Sequence, residues 1–172
     1  MTGDERRSKI LQKLQETDIP LSGTALAKAF HVSRQIIVQD IALMRAENHS
    51  ILSTNKGYLL RNENAEDAQP KRVFFVKHTV EQIRDEFNAV IELGGKILDV
   101  AVEHELYGQI CVDLLIENAA DVADFCEKFQ NCRDNPLNIL TGNCHYHTVS
   151  APSERLLDLI ENELRSMGIL QE

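Results

Sequence analysis

An α+β fold in two modules is what this sequence predicts, and three observations predict it. Up to residue 46 apolar residues recur at helical spacing in three short segments, and beyond that point short apolar runs with strand character alternate with further helical segments. The charge is divided as well: residues 1–61 carry nine Lys or Arg against six Asp or Glu, and residues 73–172 carry seven against eighteen, within a chain of net charge −9. Between the two lies RNENAEDAQPK (61–71), which has no apolar side chain larger than Ala and has the composition of a linker. The expected organisation is a module over 1–62, a linker over 63–71 and a second module over 72–172.

The remaining composition sets outer limits. A chain of 172 residues, 43% hydrophobic and 26% charged, has material for packed cores and is too short for a large multidomain enzyme. No window approaches 18 consecutive apolar residues, and MTGDERRSKI is charged where a secretory signal is apolar, so a cytoplasmic protein is expected. The cysteines Cys111, Cys126, Cys132 and Cys144 include no C-x-x-C pair and read as reduced, buried thiols.

Taken in order, residues 4–17 place Ile10, Leu11 and Leu14 at helical spacing among charges. Asp18-Ile19-Pro20 breaks that helix, and Ser22-Gly23-Thr24 caps a short second one carrying Leu26, Ala27 and Phe30. Ser33 caps a third, in which Ile37, Ile41 and Met44 form an apolar stripe. Residues 51–54 and 58–60 then read as a hairpin around Asn55-Lys56-Gly57. Three helices and a hairpin are the layout of a winged helix-turn-helix. Its third helix enters the DNA major groove by its N-terminal end, so Arg34 and Gln35 are the expected base readers, Gln39 a base or phosphate contact and Lys56 a wing contact.

In the second module a strand at 71–78 is followed by a helix from Val80 to about Leu93, with Thr79 and Gln82 spaced for a capping box. Strands at 96–103 and 109–117, a helix at 119–132, a strand at 143–150 and a helix at 152–167 complete the order βαββαβα. This is the order of a ferredoxin-like sandwich with an extra C-terminal helix. His145 and His147 alternate around Tyr146, so both imidazoles project from one face of a strand. If the last strand pairs antiparallel with the first, His78 meets His145. Glu86 lies about 60° from Ile83 on a helical wheel, at the border of the apolar stripe, where a carboxylate is costly unless paired or bound to metal. Three His and one Glu form a nitrogen and oxygen set suited to a divalent transition metal such as Zn²⁺, Ni²⁺, Co²⁺ or Fe²⁺. Cys144 alternates with His145 and is not expected to join it.

The motifs VSRQ (32–35), VKHT (76–79), VEHELYG (102–108) and LTGNCHYHT (140–148) make the whole chain resemble the nicotinic-acid-responsive transcriptional repressors of NAD biosynthesis, in which a winged helix precedes a three-histidine (3H) domain. The resemblance implies a divalent ion, nickel, zinc or iron, held by His78, Glu86, His145 and His147. It also implies nicotinic acid as co-repressor and genes of NAD synthesis or niacin uptake as targets. His104, Tyr107 and Arg133 are then candidates to hold the effector carboxylate. Ile36 and Gln39 stand where such recognition helices commonly carry Thr and Arg.

Two other readings compete with a ligand-responsive repressor: a regulator for which the ion itself is the signal, and a metal-dependent enzyme fused to a DNA-binding domain. Against the enzyme, the sequence offers no clear additional acid or base beside the proposed ligands and no G-x-S-x-G, P-loop or Rossmann glycine pattern. A homodimer on double-stranded operator DNA is expected, because one recognition helix reads too few bases for specific binding.

Overall fold

A computed structural model describes residues 1–61 and 68–172. The chain divides into two compact units, residues 1–66 and 67–172. Most of the expected linker, residues 63–67, lies outside the described residues; Lys71, its last residue, opens a strand.

The first unit contains α1 (Gly3–Gln15), α2 (Gly23–Phe30), α3 (Arg34–Ala46) and a hairpin of β1 (Ile51–Thr54) and β2 (Gly57–Leu60). Each helix begins on a hydroxyl cap: Thr2 in a reciprocal capping box with Glu5, Ser22 accepting from the Ala25 amide, and Ser33 accepting from the Ile36 amide. His31 takes the left-handed conformation (φ 55°), which ends α2 and turns the chain directly into α3. Ile10, Leu14, Leu26, Phe30, Ile37, Ile41 and Met44 close one apolar core, with Ile51 of the hairpin beneath them. Gly57 has φ +140°, and a Cβ there would come within 2.4 Å of the Leu21 carbonyl oxygen, so only glycine fits where the wing crosses the segment leading to α2.

The second unit runs β3 (Lys71–Lys77), a 3₁₀ turn (Val80–Gln82), α4 (Ile83–Glu92), β4 (Lys96–His104), β5 (Gly108–Ile116), α5 (Ala119–Asn131), a second 3₁₀ turn (Leu137–Thr141), β6 (Cys144–Ser150) and α6 (Glu154–Ser166). Phe74, Val76, Ile97, Leu114, Ile116 and Val149 of the sheet pack against Ile83, Phe87 and Val90 of α4, Val122 of α5, and Leu157, Ile160 and Leu164 of α6. The α+β class, the order of elements and the antiparallel pairing of first with last strand are those predicted. Both crossovers are split: β6 lies between β3 and β4, and β4 lies between β5 and β6.

The strand order departs from a ferredoxin-like sheet, whose first strand is internal. Among the described residues β3 is bonded to β6 alone of the sheet strands, and the order is β5, β4, β6, β3. The β4–β5 hairpin docks with its first strand inward, a choice that strand patterning alone leaves open. The outer side of β3 is met by the segment after α6, where Leu170 bridges Val76: the Lys77 amide donates to Ile169 O (2.9 Å) and the Gln171 amide to Phe75 O (2.8 Å).

All four cysteines are free, but only Cys126 is buried. Cys111 and Cys132 are exposed, correcting the expectation of buried thiols: Cys111 is on the β4–β5 ribbon and Cys132 is the cap that ends α5. No described helix is long and apolar enough to cross a membrane.

Candidate functional site

The β3–β6 register sets Val76 opposite His145 and Phe74 opposite His147, so both imidazoles share the face that looks onto α4. His78, one residue past β3, turns in beside them, and Glu86 enters from the first turn of α4. These four residues present one ligand atom each within 4.8 Å of one another, and all four are buried. Glu86 is 1% exposed, deeper than its place at the edge of the apolar stripe suggests.

The hydrogen bonds around the cluster fix what each ring offers. The Nδ1 atom of His78 lies 2.8 Å from Thr79 O, that of His145 3.1 Å from Asn143 O, and that of His147 2.6 Å from Asp99 O. A carbonyl oxygen only accepts, so each Nδ1 carries the proton and each neutral Nε2 turns a lone pair inward. His78 Nε2 is 3.1 Å from His145 Nε2 and 2.8 Å from Glu86 Oε2, and His147 Nε2 is 3.7 Å from Glu86 Oε1. Short as the approach is, Glu86 Oε2 receives no aligned hydrogen bond and is a buried oxygen without a donor. Lone pairs crowded in this way repel one another unless a positive charge lies among them. The donor set fits a divalent transition metal, with backbone carbonyls in the outer positions that orient metal-binding histidines.

The electrostatics agree. Burial drives the His145 pKa down to about 4, helped by His147. Burial also acts to lower His78, but the Glu86 carboxylate outweighs it and the net shift is upward. Burial would raise Glu86, and the surrounding histidines more than reverse this, holding it ionised. His145 and Glu86 are thus held in the forms that metal binding requires, while the Glu86 carboxylate favours a proton on His78 that a bound cation would displace.

Asp99 and Asn143 carry functions that the sequence reading missed. The β4–β6 ladder shifts register between Ile97 and Ala101, and the irregularity presents Asp99 to β6: its carbonyl accepts a hydrogen bond from His147 Nδ1–H and its carboxylate accepts one from the Thr148 amide (2.9 Å). Gly142 and Asn143 both have positive φ and deliver the Asn143 carbonyl under His145. Gly-Asn is a readable turn signal; nothing in KILDVAVEH marks Asp99 as the residue at the bulge.

The three effector candidates are not brought to the cluster by any described hydrogen bond, ion pair or ring contact. His104 Nδ1 accepts from the amides of Leu106 (3.2 Å) and Tyr107 (3.3 Å), and its ring lies 4.9 Å from that of Tyr107. His104 therefore shapes the β4–β5 turn and keeps Nε2–H to donate, while Tyr107 is 72% exposed. Arg133 is exposed beyond α5.

In the first unit Arg34, Gln35 and Gln39 are exposed along α3, and Lys56 sits in the hairpin turn between Thr54 and Gly57. The Arg34 side chain leans toward the start of α2, its Nε 3.5 Å from where a Cβ on Gly23 would stand, with Tyr58 at 3.4 Å. Behind that face Asp40 of α3 is buried and held by Arg6 of α1 through Nε (2.6 Å) and Nη2 (3.1 Å). Arg45 bonds Ile51 O and Ser53 Oγ. Arg6 and Arg45 thus brace the unit, leaving fewer of its cations for phosphate than the sequence count implies.

Comparison with known proteins bears on both units. Residues 71–172 match the 3H domain family and residues 6–59 match an HTH domain family. The chain is 37% identical over 168 residues to the probable transcription repressor NiaR of Thermotoga maritima, covering 98% of this chain and 94% of that protein. It is 34% identical over 171 residues to the transcription repressor NadR of Bacillus subtilis, covering 99% and 95%.

Proposed function

The chain belongs to the 3H-domain family of transcription repressors that carry an N-terminal HTH domain, and on that footing we propose that it is a ligand-responsive repressor of genes for NAD biosynthesis or niacin uptake. It acts on double-stranded operator DNA as a homodimer, with nicotinic acid as co-repressor at or beside one divalent ion per chain, nickel, zinc or iron. It is a regulator rather than an enzyme. The observation that carries the reading is the convergence of three Nε2 lone pairs on the Glu86 carboxylate in a chain whose other unit matches an HTH domain family.

His78, Glu86, His145 and His147 hold the ion in this reading, and a bound ion would supply open coordination positions to a pyridine nitrogen. The backbone carbonyls of Thr79, Asn143 and Asp99 keep the three rings in the binding tautomer. His104, Tyr107 and Arg133 are proposed to meet the carboxylate, with His104 Nε2–H as donor. Arg34, Gln35 and Gln39 are proposed to read bases and Lys56 to contact the backbone. The test is binding of the full chain to promoter duplexes from such genes, with and without metal and nicotinic acid. Tightening that needs both supports the reading; tightening by metal alone makes the ion the signal, and no change with either overturns the co-repressor.

A further inference from the structure

The exposed strip of α3 has two rows. Gln35, Gln39 and Leu43 make one, and Arg34, Val38 and Ala42 make the other, each spaced four residues apart; all six side chains are exposed. Val38 is 45% exposed. At 100° per residue it falls between Arg34 and Gln35 on the helical wheel, one turn further along, while the apolar residues that hold α3 in place, Ile37, Ile41 and Met44, point into the core. A lone exposed valine on a surface needs no explanation. This one stands among the groups proposed to reach the base edges, where the only apolar group presented by an unmodified base pair in the major groove is the C5-methyl of thymine.

We propose that Val38 is a specificity-determining residue that packs on a thymine C5-methyl in each half-site. The proposal rests on the reading of α3 as the recognition helix. Four residues along a helix advance about 6 Å, and base pairs follow at about 3.4 Å. The thymine therefore lies within about two base pairs of the position met by Arg34. Ala42, a further turn along, extends the apolar row but carries a smaller side chain.

The experiment starts from a duplex selected by the full-length protein out of a random pool, in which each thymine is replaced singly by deoxyuridine, removing the methyl and leaving every hydrogen-bonding group. Wild-type protein should lose about fourfold in affinity at one position per half-site, the worth of one buried methyl at about 0.8 kcal/mol. V38A should bind the parent duplex more weakly and show no further loss with deoxyuridine at that position. Its low-salt affinity for unselected DNA should equal that of wild type, which separates base reading from damage to the fold. Indifference of the wild type to deoxyuridine everywhere would overturn the proposal while leaving the DNA-binding reading standing, and so would an undiminished deoxyuridine effect in V38A. Failure to select any duplex would defeat the DNA-binding reading itself, and this proposal with it.

Discussion

The Nε2 atoms of His78 and His145 stand 3.1 Å apart, and in their neutral forms neither ring has a proton to place between them while both Nδ1–H groups donate to backbone carbonyls. Two facing lone pairs at hydrogen-bond distance, buried beside an ionised carboxylate, are an arrangement for a cation.

Loss of metal affinity follows for variants of the four donors. H147A should weaken divalent-metal binding by more than the roughly 10- to 100-fold typical of losing an outer-shell partner, since it removes a direct donor. E86Q keeps the shape of the side chain but removes the charge and should also weaken binding. Isothermal titration of chelator-stripped protein measures both; a full complement of metal in the H145A/H147A double variant would refute the assignment.

Acid should destabilise the metal-free protein through His145. Its native pKa of about 4 lies below the ordinary 6.5, so the unfolded chain takes up a proton that the folded one refuses. Stability therefore rises with pH between about 4 and 6.5, and acidification across that window costs up to about 3 kcal/mol from this group. His78, shifted upward, works in the opposite sense: its contribution is present at low pH and lost as pH rises through its native pKa. Denaturant melts of wild type and H145Q across this range should show the wild type losing stability relative to the variant; a constant difference would contradict the burial argument.

Much of this centre was legible in the sequence, because H-x-H in a strand is a local rule and the pairing of the module's first strand with its last follows from the topology that the element order suggests. Glu86 was visible only as a misplaced charge: the wheel put it at the edge of the stripe, and the three histidines draw it fully inside. The bulge that puts Asp99 behind His147 depends on how β4 meets β6, a long-range pairing without a local signal. The inward docking of β4 was unreadable for the same reason. In the first unit the caps at Ser22 and Ser33 were plain, whereas the Arg6–Asp40 pair joins residues 34 positions apart, which composition records only as two charges.

DNA binding should divide by residue. R34A should cost about 1–3 kcal/mol on the selected operator if its guanidinium reaches a base edge, and less on unselected DNA. K56A should weaken binding to all sequences and flatten the dependence on salt. Fluorescence anisotropy at several salt concentrations distinguishes the two; a sequence-independent loss in R34A would make it a phosphate contact.

Nicotinic acid and operator should be reciprocal. If nicotinic acid tightens operator binding tenfold, about 1.4 kcal/mol, operator must tighten nicotinic acid binding tenfold. Nicotinamide keeps the ring nitrogen without the negative charge and should act more weakly. Operator titrations at fixed salt, with each compound and with metal present or stripped, check this; equal responses, or a nicotinic acid effect that survives stripping, would contradict the mechanism.

The bridge between Leu170 and Val76 bears on self-association. A bare outer strand invites pairing with any extended chain, including an identical neighbour. The hydrogen bonds from the Lys77 amide to Ile169 O and from the Gln171 amide to Phe75 O occupy that edge of β3 at the end nearest His78. Deleting residues 169–172 would uncover backbone donors and acceptors of β3 next to the histidine cluster. The shortened chain should form strand-paired aggregates, and the segment that ends the sequence acts as a guard against them.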